Sequence, residues 1–191
     1  MNEEYGWSQD LYTKCFQFAA RAHEDRKEPE SGLPCVVHIA LVAMEVIAAL
    51  SRDSSADGDL ALSCALLHDI LEDTDVVYDD LLEQFGKGIA EGVLALTRNK
   101  EIGKGYTEVF KAENTRIKDC LKRVLKQPRE IGMVMMAERI VSLQPPPPEW
   151  GKDQINNHLT QAVAIFAHLR EASLLLAARL EDKIAEYKAY C

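Results

Sequence analysis

Apolar residues along this chain recur at intervals of three and four positions, and the alternation typical of β-strands is absent. The spacing therefore predicts an all-α protein. Apolar positions within residues 11–22 trace the first helix, which should end near Pro29 and Gly32 because both residue types disfavour a helix. A second helix is predicted from His38 to about residue 50.

The later helices follow the same spacing, with turn residues between them. Asp57 or Asp59 should open the third helix, which is predicted to continue through the polar residues after 67 and to end at Thr74 and Asp75. The remaining predicted helices span residues 78–85, 89–96 and 106–126, a segment starting at Pro128 and stopped by the prolines at 145–148, and residues 154–169 and 171–187. Because no internal repeat is present, we expect one compact helical bundle over residues 1–191.

The composition is that of an ordinary globular domain, with 47% of the 191 residues hydrophobic and 28% charged. The longest apolar runs are too short, or too interrupted by charge, to span a membrane. The acidic start, Met1-Asn2-Glu3-Glu4, lacks the basic segment of a signal peptide, so we expect a cytoplasmic protein with no membrane partner. Five scattered cysteines without a Cys-x-x-Cys pair argue against a disulfide scaffold or a structural zinc site.

The net charge of -9 limits the kinds of partner. Long nucleic acids and anionic membranes select broad basic faces, so neither is expected as the main partner. A small phosphorylated nucleotide is compatible with this charge, because it needs only a local cluster of positive groups. The pattern predicts no particular oligomeric state.

The residues most informative about function are His68, Asp69, Glu72 and Asp73, which follow a strongly apolar run. If the helix continues through them, side chains three and four residues apart share one face, so an imidazole and three carboxylates would lie together. Carboxylates packed that closely beside a hydrophobic wall raise one another's pKa unless a cation compensates them. The pattern therefore indicates a divalent metal ion.

Two further residues have metal-competent side chains but carry little information alone. His38 lies at the predicted start of the second helix, where a histidine is usually a surface or capping residue. Glu138 emerges from the apolar segment 131–140, where it could instead pair with Arg139 or face solvent. Their significance comes from their order along the chain relative to the polar residues after 67.

In chain order, His38, the segment His68-Asp69-x-x-Glu72-Asp73-Thr74 and Ala137-Glu138-Arg139 resemble the motifs of the HD-superfamily alarmone hydrolases. That family comprises the hydrolase domain of RelA/SpoT-type proteins and its small stand-alone relatives. Phe85-Gly86 and Leu96-Thr97 match in the same order. The resemblance covers most of the chain and implies a single HD-domain helical bundle.

The resemblance also implies an activity: a phosphohydrolase that uses Mn²⁺ to remove the 3′-pyrophosphate of ppGpp, pppGpp or an adenosine analogue. By position in the family's motifs, the metal ligands would be His38, His68, Asp69 and Glu138. The pair that handles the attacking water would be Glu72 and Asp73. The residues that contact the nucleotide would be Arg26, Lys27 and Ser142. Imidazole and carboxylate ligands suit one Mn²⁺ per chain, or another divalent transition metal.

The chain departs from the family pattern mainly near the expected substrate. Glu138 stands where the family has aspartate, and Ser142 where it usually has asparagine. Cys35 replaces the usual tyrosine, and His158 and Gln161 stand where tyrosine and glutamate are expected. These changes retain the charge of the fourth ligand but alter side chains that would face the nucleotide.

Three classes of function are therefore open. The first is the alarmone hydrolase, or a related phosphohydrolase acting on another nucleotide, such as the 2′-phosphate of NADPH. The second is a nucleotide sensor or interaction protein that keeps the fold but has lost an efficient site. The third is a helical adaptor that uses the proline run at 145–148, which would leave the acidic cluster unexplained. The retained ligand residues favour the enzyme.

Overall fold

The chain enters the fold through two helices joined by a loop. The computed structural model describes residues 6–28, 31–102 and 109–191, without the side chains of residues 109–112. The first helix, α1 (Gln9–Ala22), starts at Ser8, whose hydroxyl accepts a backbone N–H of the first turn at 3.2 Å. The second, α2 (Cys35–Leu50), begins earlier than predicted because the chain enters it directly from Pro34, which places His38 in the first turn.

Backbone hydrogen bonds hold the loop between α1 and α2. The N–H of Cys35 donates to the carbonyl of Arg26 at 3.1 Å, and an isolated antiparallel bridge joins Lys27 to Pro34. These contacts fix Arg26 and Lys27 beside the start of α2. The bridge is the only β-type pairing in the described part of the chain, so the all-α prediction is confirmed.

The acidic cap predicted for the third helix is confirmed. This helix, α3 (Gly58–Leu67), starts at Asp57, whose carboxylate accepts the N–H of Leu60 at 3.0 Å. The prediction that α3 continues through the polar residues after it was wrong. The chain turns at residues 68–69, and a separate short helix, α4 (Ile70–Asp73), follows.

The rest of the chain forms helices separated by short connections. They are α5 (Tyr78–Phe85), α6 (Lys87–Leu96), α7 (Val109–Val124), α8 (Arg129–Ser142), α9 (Lys152–Leu169) and α10 (Leu174–Tyr187). Pro128 caps α8 rather than forming its first helical residue, and a 3₁₀ turn at Arg170–Ala172 precedes α10, so both helices start later than predicted. The start predicted for α7, residues 106–108, lies outside the described residues.

α8 forms the centre of the bundle. Its Ile131, Met133, Met136 and Ile140 side chains are at most 1% exposed, and the helix packs against α2, α3, α6, α9 and α10. Burial on several sides explains why this helix is apolar around most of its circumference. A charged residue on such a helix, in this case Glu138, must face a cleft or a polar partner.

Cysteine burial agrees with the helix positions of these residues. Cys15, Cys64 and Cys120 are fully buried in the core, and all five cysteines are free thiols. Within the described residues, no helix combines the length and the apolar character that crossing a membrane requires.

A leucine truncation in this core should destabilise the protein strongly. Leu66 on α3 is fully buried, so Leu66→Ala removes apolar contacts and leaves a cavity, and we expect the free energy of unfolding to fall by about 2–5 kcal/mol. The same substitution at Leu125, which is 52% exposed, should cost less than about 1 kcal/mol. Urea unfolding followed by circular dichroism measures both, and equal losses would contradict the packing.

Candidate metal centre and catalytic cleft

His68 and Asp69 lie in the turn between α3 and α4. Nδ1 of His68 donates to the carbonyl of Ala65 at 2.8 Å, which is the carbonyl that a continuous helix would pair with the N–H of Asp69. This bond helps to end α3 and turns Nε2 of His68 away from its own helix. Asp69 has φ −96° and ψ −4°, a conformation common in turns and active sites, and its carbonyl accepts the N–H groups of Glu72 and Asp73.

Three side-chain atoms converge from α2 and the α3–α4 turn. Nε2 of His38 lies 3.3 Å from Nε2 of His68, and Oδ2 of Asp69 lies 2.8 Å from His68 Nε2 and 3.7 Å from His38 Nε2. Ligand atoms about 2.1 Å from one metal ion lie roughly 3 Å apart when they are at right angles. The separations therefore fit one divalent ion. The bond from Nδ1 of His68 to a backbone carbonyl is also the outer contact that metal-binding histidines usually make.

The charges of His68 and Asp69 depend on one another. Burial opposes the charged form of His68, yet the adjacent Asp69 carboxylate raises the pKa of His68 to about 9. Burial likewise favours a neutral Asp69, but His68 and His38 outweigh it and lower the pKa of Asp69 below its usual range. A divalent ion would replace the proton held between His68 and Asp69, because an imidazole must be neutral to bind a metal.

Glu138 reaches the cleft from α8 and lines it together with His38 and Asp69. Its Oε2 atom lies 3.9 Å from Nε of Arg139. Burial acts to raise the pKa of Glu138, but the guanidinium groups of Arg139 and Arg98 outweigh it, so the pKa is lowered and the carboxylate is charged. Its role as a fourth ligand stays a prediction, because the three closely grouped ligand atoms come from other residues.

Glu72 is held by Arg98, a residue that sequence reasoning missed. The Glu72 carboxylate accepts the backbone N–H of Arg98 at 2.5 Å and its Nε–H at 3.0 Å. The side chain of Glu72 is 7% exposed, and burial raises its pKa although Arg98 acts in the opposite direction. The only sequence signal for Arg98 is a basic residue directly after Leu96-Thr97.

The loop that carries Arg98 is anchored from α7. Arg123 donates to the backbone carbonyls of residues 94, 95 and 97 at the end of α6. Arg116 donates to the carbonyl of Ile102 at 2.9 Å. Such charge-assisted bonds to the last carbonyls of a helix stabilise its end. These bonds from α7 therefore fix the position of the loop that carries Arg98.

The residues predicted to contact the nucleotide lie along one cleft of about 1000 Å³. Arg26 and Lys27 line it with exposed side chains, and Asp73 lines it with a half-buried carboxylate. Ser142 also lines the cleft, but its hydroxyl donates to the carbonyl of Arg139 at 3.2 Å. The cleft borders a smaller recess formed in part by His68, Asp69, Glu72, Arg98 and Glu138. The structure thus brings the predicted ligand, acid–base and nucleotide residues into one region.

The ring of His158, on α9, bridges two groups of α8: the guanidinium of Arg139 and the backbone carbonyl of Ser142. Nδ1 of His158 lies 3.1 Å from Nη1 of Arg139 and must accept, because a guanidinium group only donates. Nε2 of His158 then donates to the carbonyl of Ser142 at 3.2 Å. Burial and the charge of Arg139 lower the pKa of His158 to about 4, so the ring is neutral at pH 7.

The chain also matches a known protein family. The sequence model of the family described as HD domain matches residues 15–173. The chain belongs to the HD-domain family. The resemblance inferred from the motifs is therefore confirmed. An HD domain implies a bound divalent metal, for which His38, His68 and Asp69 are the candidate ligands.

This HD-domain chain is similar to proteins named for one activity. It is 25% identical over 177 residues to the guanosine-3′,5′-bis(diphosphate) 3′-pyrophosphohydrolase MESH1 of Drosophila melanogaster, with 90% of this chain and 91% of that protein covered. It is 35% identical over 103 residues to the guanosine-3′,5′-bis(diphosphate) 3′-pyrophosphohydrolase of Aquifex aeolicus, with 54% of this chain and 13% of that protein covered.

A solved structure supports the HD fold independently. It is that of a metazoan orthologue of SpoT that hydrolyses ppGpp, and it matches this chain with a TM-score of 0.76 at 21% identity. The match covers 94% of this chain and 96% of the other. The predicted HD-domain helical bundle is therefore confirmed.

Proposed function

We propose that this HD-domain chain is a metal-dependent phosphohydrolase that removes the 3′-pyrophosphate of (p)ppGpp or an adenosine analogue. The observation that carries the proposal is the convergence of His38, His68 and Asp69 in a cleft that Arg26 and Lys27 also line. A metal site close to basic side chains suits the polyphosphate groups of a nucleotide. The relatives named as guanosine-3′,5′-bis(diphosphate) 3′-pyrophosphohydrolases support this substrate.

We assign one Mn²⁺ to the site. Two imidazoles and a carboxylate form a mixed nitrogen and oxygen set that suits such divalent ions, and Glu138 would add a fourth ligand. When bound, the ion would lower the pKa of a water molecule and offset the negative charge of the phosphate. Arg26 and Lys27 would hold the phosphates by charge, and Ser142 would contact the nucleotide.

The two carboxylates after the turn would share the proton transfer. Asp73 lines the open cleft, whereas Glu72 is buried and oriented by Arg98. Either group can accept a proton as the oxygen of water attacks the phosphorus and the bond from phosphorus to the 3′-oxygen breaks. The raised pKa of Glu72 suits it to give a proton to the departing 3′-oxygen.

We also propose that residues 1–191 act as a single HD domain in the cytoplasm. The hydrophobic core supports the first part, because one connected cluster includes residues from Cys15 on α1 to Tyr187 at the end of α10. The cleft supports a small nucleotide as the ligand, because its basic groups are local while the chain as a whole is acidic.

The proposed function is tested by product formation. Purified protein, treated with chelator and reloaded with Mn²⁺, should release pyrophosphate from ppGpp or its adenosine analogue, leaving the 5′-diphosphate. Reloading with Mg²⁺ or Zn²⁺ in parallel tests the assignment of the metal. Nucleotide binding without product, in protein that holds metal, would favour the sensor instead. Turnover of NADPH alone would reject the pyrophosphate substrate.

A further inference from the structure

Three carboxamide side chains form a hydrogen-bonded row between α7 and α9. Nε2 of Gln161 donates to Oδ1 of Asn114 at 3.1 Å, and Nδ2 of Asn114 donates to Oδ1 of Asn157 at 2.5 Å. Asn157 and Gln161, one turn apart on α9, both line the cleft. We call Asn114, Asn157 and Gln161 the amide row.

The two internal bonds leave part of the row's hydrogen-bonding capacity unused. Within the described residues, Oε1 of Gln161 and Nδ2 of Asn157 have no hydrogen-bond partner. Gln161 is only 4% exposed but lines the cleft, so its remaining acceptor can be satisfied there by a ligand or by water. At the cleft the row therefore offers one acceptor and one donor.

The polarity of the amide row can be inverted. A carboxamide has a donor and an acceptor of nearly equal shape, so each can rotate by half a turn about its terminal bond. If all three rotate, both internal bonds form again with donors and acceptors exchanged. The row then offers a donor at Gln161 and an acceptor at Asn157.

The wall that contains the row suits a base rather than phosphates. The residues through which α9 lines the cleft are uncharged: Gln154, Asn157, His158 and Gln161. The basic side chains Arg26 and Lys27 reach the same cleft from the loop between α1 and α2. His158 is bonded to Arg139, the neighbour of Glu138 in the chain, so this wall adjoins the predicted fourth metal ligand.

We propose that the amide row binds the edge of the substrate's purine base and accepts both guanine and adenine by inverting its polarity. This inference rests on the proposed function. Guanine presents an acceptor at C6 and a donor at N1, whereas adenine presents a donor at C6 and an acceptor at N1. One orientation of the row complements guanine, and the inverted orientation complements adenine in the same position.

Two near-isosteric variants test the row, because a carboxylate accepts hydrogen bonds and donates none. With the internal bonds kept, each variant makes both free ends of the row acceptors, but the negative charge lies at the Gln161 end in Gln161→Glu and at the Asn157 end in Asn157→Asp. The charged end governs the preference, because hydrogen bonds to charged groups are the stronger ones. The phosphates hold the purine in one position, so C6 faces one end and N1 faces the other. A carboxylate facing C6 favours adenine, and a carboxylate facing N1 favours guanine. The two variants should therefore shift base preference in opposite directions, whichever end faces C6.

The measurement is kcat/KM for ppGpp and for its adenosine analogue. Wild-type protein should use both within about tenfold, and each variant should change the ratio by at least about tenfold, since a mismatched hydrogen bond to a charged group costs that much or more. The added negative charge weakens binding of both anionic substrates and cancels in the ratio. Each variant is thus the matched control of the other.

Several results would overturn the role of the row. A ratio that stays constant, or that moves in the same direction in both variants, would reject base recognition, including the case in which the row contacts only the ribose. If a variant turns over too slowly, the dissociation constants of the two nucleotides, measured by calorimetry, give the same ratio. Wild-type protein that hydrolyses neither nucleotide would reject the proposed function and, with it, this inference.

Discussion

Asp69→Asn is expected to remove the bound metal ion and to lower kcat/KM by at least about a thousandfold. Asp69 supplies the only carboxylate among the three grouped ligand atoms, and its Oδ2 lies 2.8 Å from His68 and 3.7 Å from His38. Asparagine keeps the shape but removes the charge, so the fold should persist while the affinity for a divalent ion falls. Metal content by mass spectrometry and pyrophosphate release measure the two effects.

The same substitution at Asp75 is the matched control. Asp75 is exposed just after α4, so Asp75→Asn should retain both metal and activity. If Asp69→Asn held a full equivalent of metal and hydrolysed substrate at the wild-type rate, the ligand set would be wrong. A fall in activity with metal retained would indicate that Asp69 contacts the substrate and is not a metal ligand.

Arg98→Met should lower kcat by about a hundredfold, because general acid–base catalysis contributes effects of that size. The guanidinium and the backbone N–H of Arg98 orient the Glu72 carboxylate, and methionine removes the first of these while keeping the length of the side chain. The Glu72 side chain is only 7% exposed, so loss of its cationic partner should also lower the free energy of unfolding, and circular dichroism checks that the variant is folded at the assay temperature. Steady-state kinetics with saturating Mn²⁺ measures the loss.

The pH profile distinguishes this role of Arg98 from a purely structural one. Burial raises the pKa of Glu72 and Arg98 opposes that rise, so removing the guanidinium should raise the pKa further. If ionised Glu72 accepts the proton, the acid limb of kcat/KM then moves to higher pH in Arg98→Met. If protonated Glu72 gives a proton to the 3′-oxygen, the basic limb moves to higher pH instead.

Two comparisons complete the test of Arg98. Arg52→Met, at an exposed arginine after α2, should leave the pH profile unchanged. The double variant Glu72→Gln, Arg98→Met should have nearly the same kcat as Glu72→Gln alone, because the effects of substitutions at two coupled residues are not additive. Fully additive losses, or a profile in which neither limb moves, would show that Arg98 does not act through Glu72.

Helix positions could be predicted well because they depend on nearby residues. The segment 78–85 coincides with α5, Asp57 caps α3 through its own side chain, and Thr74 ends α4. Each of these features follows from spacing or from a side chain bonding to its own turn. Where a helix end depends on a proline or a 3₁₀ turn, as at the start of α10, the predicted end differs from the observed one by a few residues.

The metal centre was partly predictable for a different reason. His68 and Asp69 are neighbours in the chain, so their proximity needs no tertiary information. His38 became a ligand candidate only through the order of motifs, and the packing of α2 against α3 then brings its Nε2 within 3.3 Å of His68. Glu138 followed the same motif order and reaches the cleft, while its ligand role awaits the metal analysis.

The sequence by itself determined the all-α class, most of the helices and the order of the candidate ligands, because spacing and motifs are local properties of the chain. Only the tertiary structure decided that Arg98 holds Glu72, 26 residues away, and that Asn114 bonds to Asn157 across 43 residues. These contacts depend on how α7 packs against α6 and α9 and on how the chain turns at residues 68–69. No local pattern encodes them, since a long-range hydrogen bond forms only after the apolar faces of its helices have packed.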